Sequence, residues 1–128
     1  MFLSLDYVYV PTEDVDEAAR RYVELGAELV WKVRGMGTVV ANLRVSETGP
    51  AILLSGHLDG TVPILVYRVA DYGEAVARLG AAGIVELHEL EIPQGPCASF
   101  VAPGGQRLAI YELVRPGVAE MFVGRIDD

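Results

Sequence analysis

An internal repeat constrains this chain more than any other feature. Shifting the sequence by 57 residues lays DVDEAARRYVELG, from Asp14, over DYGEAVARLGAAG, from Asp71. Asp14 then meets Asp71, Glu17 meets Glu74, Ala18 meets Ala75, Arg21 meets Arg78 and Gly26 meets Gly83. These identities fall where helix chemistry needs them. Asp followed three residues later by Glu is the pattern of an N-terminal capping box, with Asp in place of Ser or Thr. Val15, Ala18, Ala19 and Tyr22 form an i, i+3, i+4, i+7 stripe, and Tyr72, Ala75, Val76 and Leu79 repeat it. Gly26 and Gly83 stand where a helix ends on a left-handed residue. The repeat predicts two amphipathic helices, over about 14–25 and 71–82.

A β-type run precedes each helix, at about 2–10 and 62–69. Three more follow each, at about 28–34, 37–44 and 50–55, then at 84–92, 96–102 and 106–114. Turn residues punctuate them: Gly35-Met36-Gly37, Gly49-Pro50, Pro93-Gln94-Gly95-Pro96 and Pro103-Gly104-Gly105. Both halves read β-α-β-β-β. The expected organisation is one domain over 1–128, with module one at about 1–56, HLDG as linker, module two at about 61–114 and a tail at 115–128. Val118, Met121 and Phe122 suggest that the tail packs as a short helix.

Composition narrows the function classes. Apolar residues make up 52% of 128, ample for one core, but they come in short runs and none suits a membrane span. The apolar opening is cut by Asp6 and lacks a basic stretch, so it reads as a strand and not as a leader. The net charge of −8 opposes a phosphate backbone, so no nucleic-acid partner is expected. A single cysteine, Cys97, excludes an internal disulfide and suits a cytoplasmic protein. With no cationic neighbour in sequence, Cys97 reads as a small buried hydrophobe.

The stretches LDYVYVPTEDVDEAARRYVELGA, ILVYRVADYGEAVARLGAAGI and FVAPGGQRLAIYE resemble the glyoxalase/bleomycin-resistance/dioxygenase (vicinal oxygen chelate) superfamily. The likeness runs from Leu5 to Glu112. It implies an α+β fold in which two tandem β-α-β-β-β modules form an open, curled mixed β-sheet half-barrel, with the helices outside. It also implies a homodimer. Metal-using members draw four ligands, typically His or Glu, from the first and last strand of each module. Here those positions fall on Tyr7, Leu53, Ile64 and Ala109, which supply no donor set for a divalent ion. No metal and no cofactor are expected. Glu86 and His88 share a face in the expected strand, but two ligands are too few.

Strand alternation places the expected ligand-binding residues. Tyr7 and Tyr9, Ile64 and Arg68, and Leu53, Ala109 and Tyr111 share the side away from the helices, with Trp31 and His88 as weaker candidates. That lining suits a flat or hydrophobic molecule, and equally a core that has lost its cavity. The leading functional reading is a metal-independent binding protein for a hydrophobic or aromatic small molecule, with antibiotic sequestration as one use. The alternatives are a divergent lyase, isomerase or dioxygenase, and a degenerate relative acting through its dimer surface.

Overall fold

The computed structural model describes residues 1–35 and 37–128. Its elements run β1 (Phe2–Pro11), α1 (Val15–Glu24), β2 (Glu28–Gly35), β3 (Thr38–Arg44), β4 (Ala51–Ser55), β5 (Ile64–Val69), α2 (Tyr72–Ala81), β6 (His88–Ile92), β7 (Gly95–Val101) and β8 (Arg107–Glu112), then a 3-10 turn at Ala119–Phe122. This is the expected α+β order, β-α-β-β-β twice. The expected turn at Gly35-Met36-Gly37 centres on Met36, which lies outside the described residues.

Both helices begin and end as their sequence dictates. The Asp14 carboxylate accepts from the Glu17 backbone N–H at 3.0 Å, and Asp71 accepts from that of Glu74 at 2.8 Å. Glu17 does not turn back on the cap; its carboxylate engages Arg20 and Arg21 along the helix. At the other end Ala27 N–H donates to Tyr22 O and Gly26 N–H to Val23 O, both at 3.0 Å. Ile84 to Leu79 and Gly83 to Gly80 repeat that pair of bonds at the same lengths. Each helix therefore closes in a Schellman motif, which needs the positive φ of Gly26 (104°) and Gly83 (89°).

The chain divides into two compact units. The second comprises Tyr7–Pro63 with Phe122–Asp128, and the first Met1–Asp6 with Ile64–Met121. Strand β1 thus contributes residues to both. In the second unit the strand order is β2-β3-β4-β1, with β4 and β1 parallel and the other pairs antiparallel. Val15 and Ala19 of α1 pack there on Ala41, Leu43 and Leu54. In the first unit the order is β1-β5-β8-β7-β6, with β5 and β8 parallel. Ala75 and Leu79 of α2 bury Val69, Ala98, Phe100 and Ile110 beneath them.

Three expected elements differ. The run at 84–92 forms a strand only from His88. Ile84 and Leu87 both pack against the α2 cluster, although three apart, which strand alternation forbids. Strand β5 starts at Ile64, after Pro63, whose nitrogen cannot donate to a ladder. The tail is a single 3-10 turn; Met121 is 76% exposed, and Phe122 lies against Trp31 with ring centroids 5.8 Å apart.

Beyond that turn the chain runs along the outer edge of β2. Gly124 N–H donates to Val30 O at 2.9 Å, Lys32 N–H to Arg125 O at 2.8 Å and Asp127 N–H to Lys32 O at 2.8 Å. The bridge is parallel and covers an edge that would otherwise offer open backbone groups. Asp127 also accepts from the Arg34 backbone N–H at 2.8 Å. The Arg125 guanidinium first, then that N–H, hold the Asp127 carboxyl down to about 2. A depressed carboxyl stabilises the docked tail above its ordinary value of 3.8, and the contribution disappears as pH falls through about 2. Trp31 is the single tryptophan. Its emission is expected to change between pH 4 and pH 2, and Asp127→Asn is expected to show the altered emission already at pH 7. Emission from that variant identical to the parent's would contradict this account.

Candidate functional site

In the first unit the ladder pairs Ile64, Val66 and Arg68 of β5 with Arg107, Ala109 and Tyr111 of β8. Those in turn pair with Val101, Ser99 and Cys97 of β7, and Ser99 pairs with His88 of β6. Paired residues share a face. The intervening Val69, Ala98, Phe100, Leu108 and Ile110 belong to the α2 cluster, so this set occupies the opposite face.

Ile64, Val66, Ala109 and Tyr111 are buried on that face, with Ala109 only 3% exposed. The Tyr111 hydroxyl donates to the Asp6 carboxylate, which also accepts from Ser4 Oγ at 2.6 Å. Burial pushes the Cys97 thiol up to about 11, so at neutral pH it is a protonated apolar group rather than a nucleophile. Arg68 is half-buried, and its Nε is shielded from solvent with no hydrogen-bond partner among the described residues. His88 is exposed, whereas its neighbour Glu89 accepts from Tyr72 Oη at 2.5 Å.

At the Ile64 end of the face a groove of about 830 Å³ opens between the 83–88 loop and β7. Leu87, Phe100 and Leu108 give it an apolar wall, and His88, Ser99 and Arg107 supply polar groups. It exists because residues 84–87 leave the sheet, so β7 beyond Ser99 has no partner on that side. Glu86 lines it as well, close to His88.

The remaining expected residues lie in the second unit. Tyr7 pairs with Ala51, and Tyr9 pairs with Leu53, which pairs with Asn42, which pairs with Trp31. Tyr9, Leu53, Asn42 and Trp31 therefore form one row, on the face away from the α1 cluster that contains Val10, Leu43 and Leu54. Leu53 is buried, and the two tyrosines and Trp31 are half-buried. Fully buried Ser55 has its Oγ 2.7 Å from Nδ1 of the exposed His57. So the structure brings Ile64 and His88 together in the groove. Arg68, Ala109 and Tyr111 share their face, and Tyr7, Tyr9, Trp31 and Leu53 belong to the other unit. Sequence reasoning missed Asp6, although an acid inside an apolar strand is a signal of a buried partner.

Tyr7, Leu53, Ile64 and Ala109, the positions that the sequence resemblance assigns to metal ligands, carry a phenol and three aliphatic side chains. They do not fit a divalent ion. Among the described residues, no three His, Cys, Asp or Glu side chains converge.

No family model matches the sequence, and no curated protein matches it. Solved structures do match in fold. Methylmalonyl-CoA epimerase from Mycobacterium tuberculosis superposes with a TM-score of 0.72 at 23% identity, covering 92% of this chain and 93% of that one. Glyoxalase I from Zea mays gives 0.64 at 19% identity over 88% of this chain, which spans 44% of the maize enzyme. A glyoxalase/bleomycin resistance protein/dioxygenase superfamily member from Vibrio splendidus 12B01 gives 0.58 at 16%, over 83% and 95% of the two chains. Among the described residues no helix is long and apolar enough to cross a membrane. The chain has the fold of the glyoxalase/bleomycin resistance/dioxygenase superfamily.

Proposed function

We propose that this chain is a metal-independent binding protein for a hydrophobic or aromatic small molecule, taken up in the groove beside β7 of the first unit. The groove beside β7 carries the reading. Small-molecule sites are concave, of about 300–1,000 Å³, with apolar walls and a few polar groups that fix orientation. A groove of about 830 Å³ walled by Leu87, Phe100 and Leu108, with His88, Ser99 and Arg107 at hand, has that composition. The donor-poor residues at the superfamily's ligand positions support metal independence. Sequestration of an aromatic antibiotic, as in the bleomycin-resistance members of this fold, is one use for such a site. A homodimer in the cytoplasm completes the proposal.

Thermal denaturation tests it. EDTA and added Ni²⁺, Zn²⁺, Mn²⁺ or Fe²⁺ are expected to leave the melting temperature unchanged. The neutral probe naphthalene-2-carboxamide is expected to raise it, because a ligand at a hundred times its Kd stabilises the folded state by about 2.7 kcal/mol. Val101→Arg, which fills the groove from an exposed position, should abolish that shift. Purification with stoichiometric metal, whose removal lowers the melting temperature, would sink the proposal.

A further inference from the structure

The groove beside β7 is bordered by open backbone as well as by side chains. In an antiparallel ladder a strand turns its backbone groups to one neighbour at every second residue and to the other neighbour in between. Ala102 N–H donates to Gln106 O at 2.8 Å and Val114 N–H to Gln94 O at 2.9 Å, so the even-numbered residues of β7 face β8. The odd-numbered residues face β6, where Gly95 meets Ile92, Cys97 meets Leu90 and Ser99 meets His88. Val101 turns its N–H and C=O the same way, but β6 begins at His88 and residues 84–87 leave the sheet. Among the described residues nothing bonds to that pair of groups. Val101 is 62% exposed and lines the groove, so the pair lies at its border.

A donor and an acceptor left open on a strand edge are a template for another strand. The chain itself uses that chemistry at β2, whose outer edge is covered by the backbone of Gly124, Arg125 and Asp127. No segment does so at Val101. The space there is short. A strand rise of about 3.3 Å per residue gives about 7 Å from Ser99 to Val101, and the Ala102–Gln106 turn closes the strand beyond it. The 83–87 loop stands across the groove from β7, so one free strand fits between them and the edge of a folded sheet does not.

We infer that the groove takes a short extended peptide, one residue of which exchanges both backbone hydrogen bonds with Val101. The inference rests on the small-molecule reading above and adds the ligand's chemical class. Residues opposite each other across a ladder share a face, so the side chain of that peptide residue lies beside Val101, Ser99 and His88. Its neighbours on either side turn to the other face, towards Leu87, Phe100 and Leu108. A tripeptide that reads apolar, polar, apolar matches these two faces, and the N–H and C=O of its central residue satisfy the open pair on Val101.

Calorimetric titration of the full chain tests this with acetyl-Phe-Thr-Phe-amide and two N-methylated forms of it. Methylation at the Thr nitrogen removes the donor aimed at Val101 O, whereas methylation at the second Phe nitrogen removes one that points away from β7. The first is expected to weaken binding about tenfold or more, and the second by less than about twofold. Val101→Pro deletes the outward N–H and leaves the β8 ladder intact, so it is expected to melt close to the parent and to bind the tripeptide about tenfold more weakly. If that variant unfolds, the methylated peptides still decide on the parent protein. Equal losses at the two nitrogens, the reverse order, or no loss at either overturns the inference. So does a parent dimer that Val101→Pro converts to a monomer, since a second copy then holds the edge. Binding of naphthalene-2-carboxamide without binding of the tripeptide overturns it too but spares the small-molecule reading. Binding of neither probe would sink both.

Discussion

Gly95→Ala is expected to destabilise this protein by about 3 kcal/mol or more. A Cβ at that position would sit 2.2 Å from the Glu112 carbonyl oxygen and 3.0 Å from Val114 Cγ2. The backbone cannot yield, because the two segments are clamped together. Gln94 O accepts from Val114 N–H at 2.9 Å and from Arg115 N–H at 3.0 Å. Arg115 Nε donates to Pro93 O at 2.6 Å, and its Nη2 donates to Ile92 O at 2.8 Å. Moving the start of β7 to admit a methyl group breaks this set and shifts the β6–β7 turn. Urea unfolding measures the loss. Gly80→Ala is the matching control: it lies in α2 with nothing within 4 Å of the added carbon, and should stabilise by about 0.5–1 kcal/mol. A Gly95→Ala midpoint equal to the parent's would refute the packing described here.

Ile110→Ala should cost about 2–5 kcal/mol, the range for deleting most of a buried aliphatic side chain without collapse of the cavity. Ile110 is 0% exposed and lies beneath α2 with Ala75, Leu79, Ala98 and Phe100. Two of those neighbours are alanines on rigid elements and cannot swing in to fill the space. Leu54→Ala, 1% exposed beneath α1, is expected to cost a similar amount in the other unit. Conservative Ile110→Val, losing one methylene, should cost about 0.5–1.5 kcal/mol. A loss below about 1 kcal/mol for Ile110→Ala would mean that this cluster is loosely packed, contrary to the burial seen.

Much of the fold is legible in local sequence. Asp14 and Asp71 mark helix starts because a short acidic side chain reaches the N–H three residues on. Gly26 and Gly83 mark the ends because the Schellman bonds require a backbone that other residues resist. Period-two alternation separates Ile64, Val66 and Arg68 from Val69, and Tyr9 and Leu53 from Val10 and Leu54. That Tyr7, Leu53, Ile64 and Ala109 stand at ligand positions is what the family resemblance implies, and the repeat by itself does not supply it.

Other features were out of reach for one reason: they depend on partners distant in sequence. The run from Ile84 to Ile92 reads as one strand, and its first four residues leave the sheet only because the α2 cluster takes both Ile84 and Leu87. That departure creates the groove. The tail looks like a packing helix, yet its backbone bonds to β2, far earlier in the chain, and Phe122 finds Trp31 there. Asp6 gains its role from Tyr111, and Arg68 becomes notable only once its Nε proves to be buried without an acceptor. Periodicity, caps and turns are encoded within a few residues, where sterics and short-range hydrogen bonds decide. Which strand edge is left open, and which charge is left without a partner, is decided by register and packing over the whole chain, and so by the tertiary structure alone.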